Sequence, residues 1–290
     1  MNKNQIIIGT AQLNNIYGRS NKKIKLNKSA FLKLIKFARK EDIRSFDCAS
    51  SYGNQKILAD FLYKRDFVIS KINFNLKNSD KEPAILKEVN KTLSELNKKQ
   101  INGLLIHNTK YIYNKKFKRF YELLNKQKSK FKKIGFSCYT IKEVKYILKH
   151  YKFDILQFPF NIFDQRLILE KKMMQELKLK KVEIHIRSIF LQGVLLKKDN
   201  LKDKYFKKWK KLFIKFEKFK LVNKIGDIEA CLAFLKQYNF YKKVVVGFDS
   251  SGHLENFIKI LKKRVRYNDY NFKQFANNEP KLILPKLWSK

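Results

Sequence analysis

Cysteine, proline and glycine are all scarce in this chain of 290 residues, at 3, 4 and 9 respectively. The cysteines, Cys48, Cys138 and Cys231, lie far apart with no CxxC pair. That spacing excludes a disulfide framework and argues against a cysteine-rich zinc site, so plain thiols and no metal are expected. With so few prolines and glycines and no Ser/Gly-rich stretch, nothing reads as an internal linker. A single domain over 1–290 follows, with 267–290 a C-terminal tail over it, the least regular part because of its Asn-rich loops and late Pro280 and Pro285. Long apolar runs are missing too. The best of them, 184–196, is broken by Arg187 and Gln192 and falls short of the roughly 18–20 residues a membrane span needs. At the N-terminus only Ile6, Ile7 and Ile8 precede Gly9, too short for the apolar part of a secretory signal. A cytoplasmic protein with no membrane partner is expected.

Acidic residues are the remaining shortage: Asp and Glu number 25 against 66 Lys and Arg, a formal net charge of +41 at pH 7. A disordered polycation is excluded by 44% hydrophobic and 14% aromatic content, ample for a core. Only nine of the basic residues are Arg, and the lysines are spread through every segment. A protein that reads nucleic acid concentrates charge on one face and uses Arg for bidentate contacts, so no specific nucleic-acid partner is expected. The field still attracts polyanions weakly and in a salt-sensitive way. The densest basic run, 204–220, interleaves Tyr205, Phe206, Trp209, Phe213, Phe216 and Phe219 at helical spacing, which reads as a stripe facing the core.

Short β-branched runs alternate with longer amphipathic stretches, the pattern of repeated βα units. Strands are predicted at 5–11, 45–49, 67–72, 103–108, 133–138, 155–160, 182–189 and 244–249. Helices are predicted at 28–40, 81–97, 141–151, 228–238 and 253–263, among others. Eight such alternations in this length match an α/β fold of the (β/α)8 TIM barrel type. A doubly wound sheet would carry a Gly-rich turn after its first strand, and no GxGxxG occurs. Most of the glycines, Gly9, Gly18, Gly53, Gly103, Gly135, Gly193 and Gly247, fall at strand ends or in the loops leaving them, where positive φ or close approach is wanted.

In such a barrel the reactive groups stand at the C-terminal ends of the strands. Asp47, Lys71 and His107 occupy those positions, and Tyr52 follows Asp47 by five residues. Side chains alternate along a strand, so Phe46, Val68 and Ile106 take the helix side and leave Asp47, Lys71 and His107 to the lumen. The same alternation turns Cys48 outward and places His185 in the lumen as a satisfied hydrogen bonder; His150 and His253 read as surface residues.

Set in IIIGTAQ (6–12), FDCASSYGN (46–54), VISKI (68–72) and LLIHN (104–108), these residues resemble the aldo-keto reductase family. IGFSCYT (134–140), DILQFPFNIFDQR (154–166), IRSIFLQGVLL (186–196) and VVVGFDSSGHLEN (244–256) extend the resemblance in order through the eighth strand. The variant it is most similar to is linked to carbohydrate or surface-polysaccharide metabolism. Carbonyl reduction by hydride needs a proton for the oxygen, and Tyr52 is the expected donor. A phenol has a pKa near 10, and an ammonium about 4 Å away in an effective dielectric of about 20 is worth roughly 4 kcal/mol. Lys71 is expected to supply that charge and lower the phenol by at most about 3 units, with Asp47 pairing with Lys71 and His107 holding the substrate oxygen.

The resemblance implies NADP as the cofactor, with NAD the alternative, lying extended over the barrel mouth. Its carboxamide falls near Ser137 and Gln157, its ring on Arg187, its pyrophosphate against Ser188 and the segment from Leu191 to Gly193. Gly247, Ser250 and Ser251 fall near the adenosine phosphate, and Gly9 and Thr10 under the nicotinamide ribose. Three departures stand out: Cys138 replaces the family's Asn beside Ser137, Phe257 replaces the Asn near the adenine, and 248–251 holds no Arg for a 2′-phosphate. The expected partner is a small carbonyl or sugar-like substrate, on a monomer or weak oligomer. Loops at 73–81, after His107, at 199–226 and past 267 set its choice. The rival readings are an enzyme on the same scaffold with a specialised reaction in surface-sugar biosynthesis, alcohol oxidation included, a catalytically quiet nucleotide-binding or redox-sensing barrel, and polyanion binding by the lysine-rich exterior.

Overall fold

The computed structural model describes residues 1–15, 26–75, 81–196, 203–263 and 269–288. Eight strands form where the β-branched runs were found: β1 Ile6–Gly9, β2 Ser45–Asp47, β3 Phe67–Ile72, β4 Ile101–Ile106, β5 Phe131–Ser137, β6 Ile155–Pro159, β7 Glu183–Arg187 and β8 Lys243–Gly247. Each pairs in parallel with the next and β8 pairs with β1, so the sheet closes into a barrel. The TIM-barrel expectation is met. β4 and β5 begin two residues earlier than expected, and several C-terminal ends come sooner, because residues such as Thr10, His107 and Ser188 leave the ladder to line the mouth.

The helices form for local reasons. Lys28–Lys40 spans the range read from sequence and buries Phe31, Leu34, Ile35 and Ala38, one stripe at helical spacing. Asn27 caps it, its side chain accepting from Ala30 N at 2.9 Å. Ile141–His150 opens with a capping box, in which the Thr140 hydroxyl accepts from Glu143 N at 3.2 Å and Glu143 accepts from Thr140 N at 2.7 Å.

Two apolar layers result. Phe46, Val68 and Ile106 face the helices in the outer core, as alternation predicted. Ile7, Ile69, Leu105 and Ile155, with Phe67 and Val245 packed against them, fill the lower lumen. Gly135 permits that filling, since a Cβ there would lie 2.1 Å from the Ile155 carbonyl oxygen. Beneath the apolar layer, Lys133 pairs with Glu183 at 2.6 Å.

The aromatic stripe of 204–220 does face inward: Phe206, Trp209, Phe213 and Phe216 are buried. Lys220 departs from the expectation of solvated lysines, being buried between Glu217 and Asp227. The described part of the tail is better packed than expected. Phe272, Phe275, Leu282, Ile283 and Leu284 are buried, and Trp209 Nε1 donates to Glu279 at 2.8 Å. Gly18, 76–80 of the loop after β3, 199–202 of the 199–226 stretch, and 267, 268, 289 and 290 of the tail lie outside the described residues. Among the described residues no helix is long and apolar enough to cross a membrane.

Candidate active site

The C-terminal ends of the strands surround a cavity of about 600 Å³. Asp47, Tyr52, Lys71 and His107 all line it, so the structure brings the four expected residues together. Asp47 and Lys71 are 3% and 2% exposed, and burying such a pair demands full pairing. Lys71 Nζ donates to Asp47 Oδ1 and, at 3.1 Å, to the Cys48 carbonyl. Gln157 Nε2 donates to Asp47 Oδ2 at 2.8 Å.

Tyr52 is placed by its loop. It ends the short 3-10 turn Ser50–Tyr52, and Gly53 closes that turn at φ 66, a left-handed conformation suited to glycine. Asn54 Nδ2 donates to the Thr10 and Leu13 carbonyls at 2.7 and 2.9 Å, tying this loop to the one after β1. Asn15 adds a bond to the Tyr52 carbonyl at 2.8 Å. The Tyr52 ring meets the His107 ring edge-on at 5.6 Å, and Lys71 Nζ lies 5.4 Å from its centroid.

The expected lowering of the Tyr52 phenol does not occur in this ligand-free arrangement. Burial raises its pKa well above 10, Asp47 raises it further, and Arg187 is the cation that opposes them. Desolvation is the main reason, and the Asp47 carboxylate beside the Lys71 ammonium adds to it. His107 is held down at about 3 by burial first and then by Lys71 and Arg187. Its Nδ1 lies 3.1 Å from Ser51 Oγ. A neutral imidazole and a protonated phenol therefore share one face of the cavity.

Gly9, Thr10, Ser137, Gln157, Arg187, Ser188, Gly193 and Gly247 also line the cavity. Three of the expected cofactor residues stand back from it: Leu191 is packed in the outer core, Ser250 caps Ser251–Leu261 by accepting from His253 N at 3.1 Å, and Ser251 opens that helix. Cys138 also packs in the outer core, and its carbonyl accepts from Arg187 Nη2 at 3.1 Å. The three thiols are buried, and burial pushes Cys48 up to about 11, so they are unreactive. His185 lines the lumen but is not the satisfied group expected. Among the described residues neither ring nitrogen has a hydrogen-bond partner, and Nε2 stands 3.6 Å from Glu183 Oε2, whose other oxygen accepts from Lys133.

Several cavity residues were not singled out from sequence. Tyr139 carries the Arg187 guanidinium on its ring at 4.1 Å and Lys286 of the tail at 4.6 Å. Gln12 donates to Asp249 at 2.6 Å across Gly247, where a Cβ would come within 2.2 Å of Gln12 Oε1. Phe190 and Phe248 meet Phe257 edge-on. The FNIFDQR segment acts as a brace: Asn161 donates to the Ser188 carbonyl at 3.0 Å and Gln165 to the Phe272 carbonyl at 2.8 Å. Ser188, Leu191 and Gln192, all non-glycine, hold φ of 57, 48 and 52, strain of the kind concentrated at functional loops. Polar residues inside the quoted motifs, such as Gln12, Asn54 and Asn161, were the available signal.

The profile of the Aldo/keto reductase family matches residues 5–277. None of the curated proteins matches the sequence significantly. Among solved structures, an aldo-keto reductase from Bacillus halodurans in its holo form superposes with TM-score 0.67 at 14% identity, over 94% of this chain and 92% of that one. A glycerol dehydrogenase from Gluconobacter oxydans gives 0.64 at 17%, over 90% and 88%. A Gox0644 variant in complex with NADPH gives 0.67 at 14%, over 94% and 89%. The extent of the family match and the closed barrel with its four residues at one mouth agree: this chain belongs to the aldo/keto reductase family and is an NAD(P)-dependent oxidoreductase.

Proposed function

We propose that this protein interconverts a small aldehyde, ketone or sugar-like carbonyl with its alcohol, with Tyr52 as the proton donor and Lys71, Asp47 and His107 assisting. The observation that carries the reading is the convergence of those four side chains on one cavity around a fully buried Asp47 and Lys71 pair.

The cavity suits a dinucleotide. Its floor lacks side chains at Gly9 and Gly247, and a Cβ at Gly247 would meet Gln12. Ser137 and Gln157 offer hydrogen bonds for a carboxamide, Arg187 a planar face for the nicotinamide ring, and Ser188 a donor for a phosphate oxygen. Phe190, Phe248 and Phe257 wall the far end with aromatic surface where the family has an Asn. NADP(H) is the cofactor we assign, as in the NADPH complex of the Gox0644 variant. When bound, it supplies or accepts the hydride.

The chain's own residues handle the proton. Tyr52, protonated because burial disfavours its anion, gives its hydrogen to the carbonyl oxygen as alkoxide character develops. Lys71 and Arg187 supply positive charge against the forming phenolate, worth most in a site shielded from water. Neutral His107 hydrogen-bonds the substrate oxygen and aims the carbonyl. The link to carbohydrate metabolism and a cytoplasmic location, where NAD(P)H is available, belong to this same reading.

The test is titration with NADPH and NADH by protein fluorescence at two salt concentrations, followed by an aldehyde panel with Tyr52→Phe. Salt-resistant binding, with turnover lost in the variant but binding retained, is expected. Near-normal turnover of Tyr52→Phe overturns the donor assignment; weak binding that salt abolishes favours a polyanion-binding role.

A further inference from the structure

We propose that Gln157 is the positioning residue of Asp47, a link between the carboxamide side of the cavity and the Asp47 and Lys71 pair. This rests on the reading just given. A carboxylate buried at 3% exposure needs donors on both oxygens. Oδ1 receives the Lys71 ammonium, and Oδ2 receives Gln157 Nε2 at 2.8 Å. Among the described residues no other side chain donates to Asp47 Oδ2. Gln157 is itself fixed, because its Oε1 accepts from Ser137 Oγ at 3.3 Å. Gln157 and Ser137 are 1% and 2% exposed, so water does not substitute for either bond.

The link is built by strand register. Ser137 and Gln157 are paired neighbours on β5 and β6, whereas Asp47 stands on β2 across the lumen, so the amide spans the barrel. His185, the paired neighbour of Gln157 on β7, does not compete: its ring makes no hydrogen bond to Asp47. Without the amide, the carboxylate is free to rotate and the Lys71 ammonium moves with it, away from Tyr52. A residue that served the carboxamide alone would act on cofactor affinity. A residue that orients Asp47 acts on the reaction.

The experiment uses the full chain with NADPH and DL-glyceraldehyde as probes. For Gln157→Leu we expect kcat to fall by about 10- to 100-fold, as misplacement of a reacting group does, in addition to the rise in NADPH Kd that loss of a carboxamide contact brings. Gln157→Glu keeps the shape but sets a second carboxylate against Asp47; lowering the pH protonates the pair and restores a donor. Its kcat relative to the parent therefore rises as the pH falls from 8 to 5.5, a response that a packing defect does not give. A Gln157→Leu protein with unchanged kcat and a Kd raised tenfold or more overturns the inference in favour of a carboxamide contact, as does a flat pH ratio for Gln157→Glu. If the parent binds neither NADPH nor NADH, the functional reading has failed, and the inference falls with it before any variant is compared.

Discussion

Among the described residues, two lysine–carboxylate pairs occupy the lumen of this barrel, one at each end. At the upper end Asp47 and Lys71 have side chains 4% and 2% exposed; at the lower end Glu183 and Lys133 are 25% and 38% exposed. The residue types are alike, but water is excluded from one pair and reaches the other. The upper pair is anchored by Gln157 and the Cys48 carbonyl and stands beside Tyr52 and His107. The lower pair closes the floor beneath the apolar layer. Charge alone therefore does not mark the reactive end; desolvation and a full set of partners do.

The largest effect expected from this contrast is chemical. Tyr52→Phe removes the proton donor and should lower kcat by roughly 10²- to 10⁴-fold, with the NADPH Kd unchanged; steady-state kinetics beside a fluorescence titration measure both.

Next comes the upper pair itself. Lys71→Met leaves Asp47 charged and buried without its cation, and about 3–5 kcal/mol of stability should be lost. Denaturant unfolding reads this directly, and a cost below about 1 kcal/mol would mean that water reaches the site.

The third effect is a dependence on pH. His107 is depressed to about 3 in the folded chain against about 6.5 when unfolded. Below 6.5 the unfolded chain binds a proton that the native site refuses, so this histidine destabilises progressively as the pH falls from 6.5 towards 3 and has no effect above 6.5. Burial lowers His185 as well, with the same sign. The fall in Tm between pH 7.5 and 5 should be smaller in His107→Gln than in the parent; equal falls would place the titration elsewhere.

The smallest effect belongs to the lower pair. Lys133→Met should cost no more than about 1 kcal/mol, as for other solvent-screened pairs, and should leave kcat unchanged. A loss matching that of Lys71→Met would erase the distinction between the two ends.

Much of this was legible in the chain. Strand alternation was enough to send Phe46, Val68 and Ile106 outward and Asp47, Lys71 and His107 inward, because a two-residue period is a local property of extended backbone. The stripe of Phe206, Trp209, Phe213 and Phe216 followed from helical spacing in the same way. Tyr52, lying in a loop, was identified from its motif. The brace made by Asn161 and Gln165 was visible only as part of a motif, since its partners, Ser188 and Phe272, are distant in sequence. The packing of the tail was not legible for a related reason: its few apolar residues show no period of their own, and Phe272 and Phe275 meet Phe216 and Phe219 from far along the chain.

By itself the sequence determined the βα alternation, the scarcity of linkers and the lumen-facing parity of Asp47, Lys71 and His107, all consequences of short-range periodicity and composition. Only the tertiary structure decided the electrostatics. Burial holds His107 neutral, burial and the Asp47 carboxylate keep the Tyr52 phenol protonated, and Gln157 reaches Asp47 from the far side of the barrel. These outcomes depend on which groups share a desolvated space. Closure of the sheet creates that space from residues as far apart in sequence as Asp47 and Gln157.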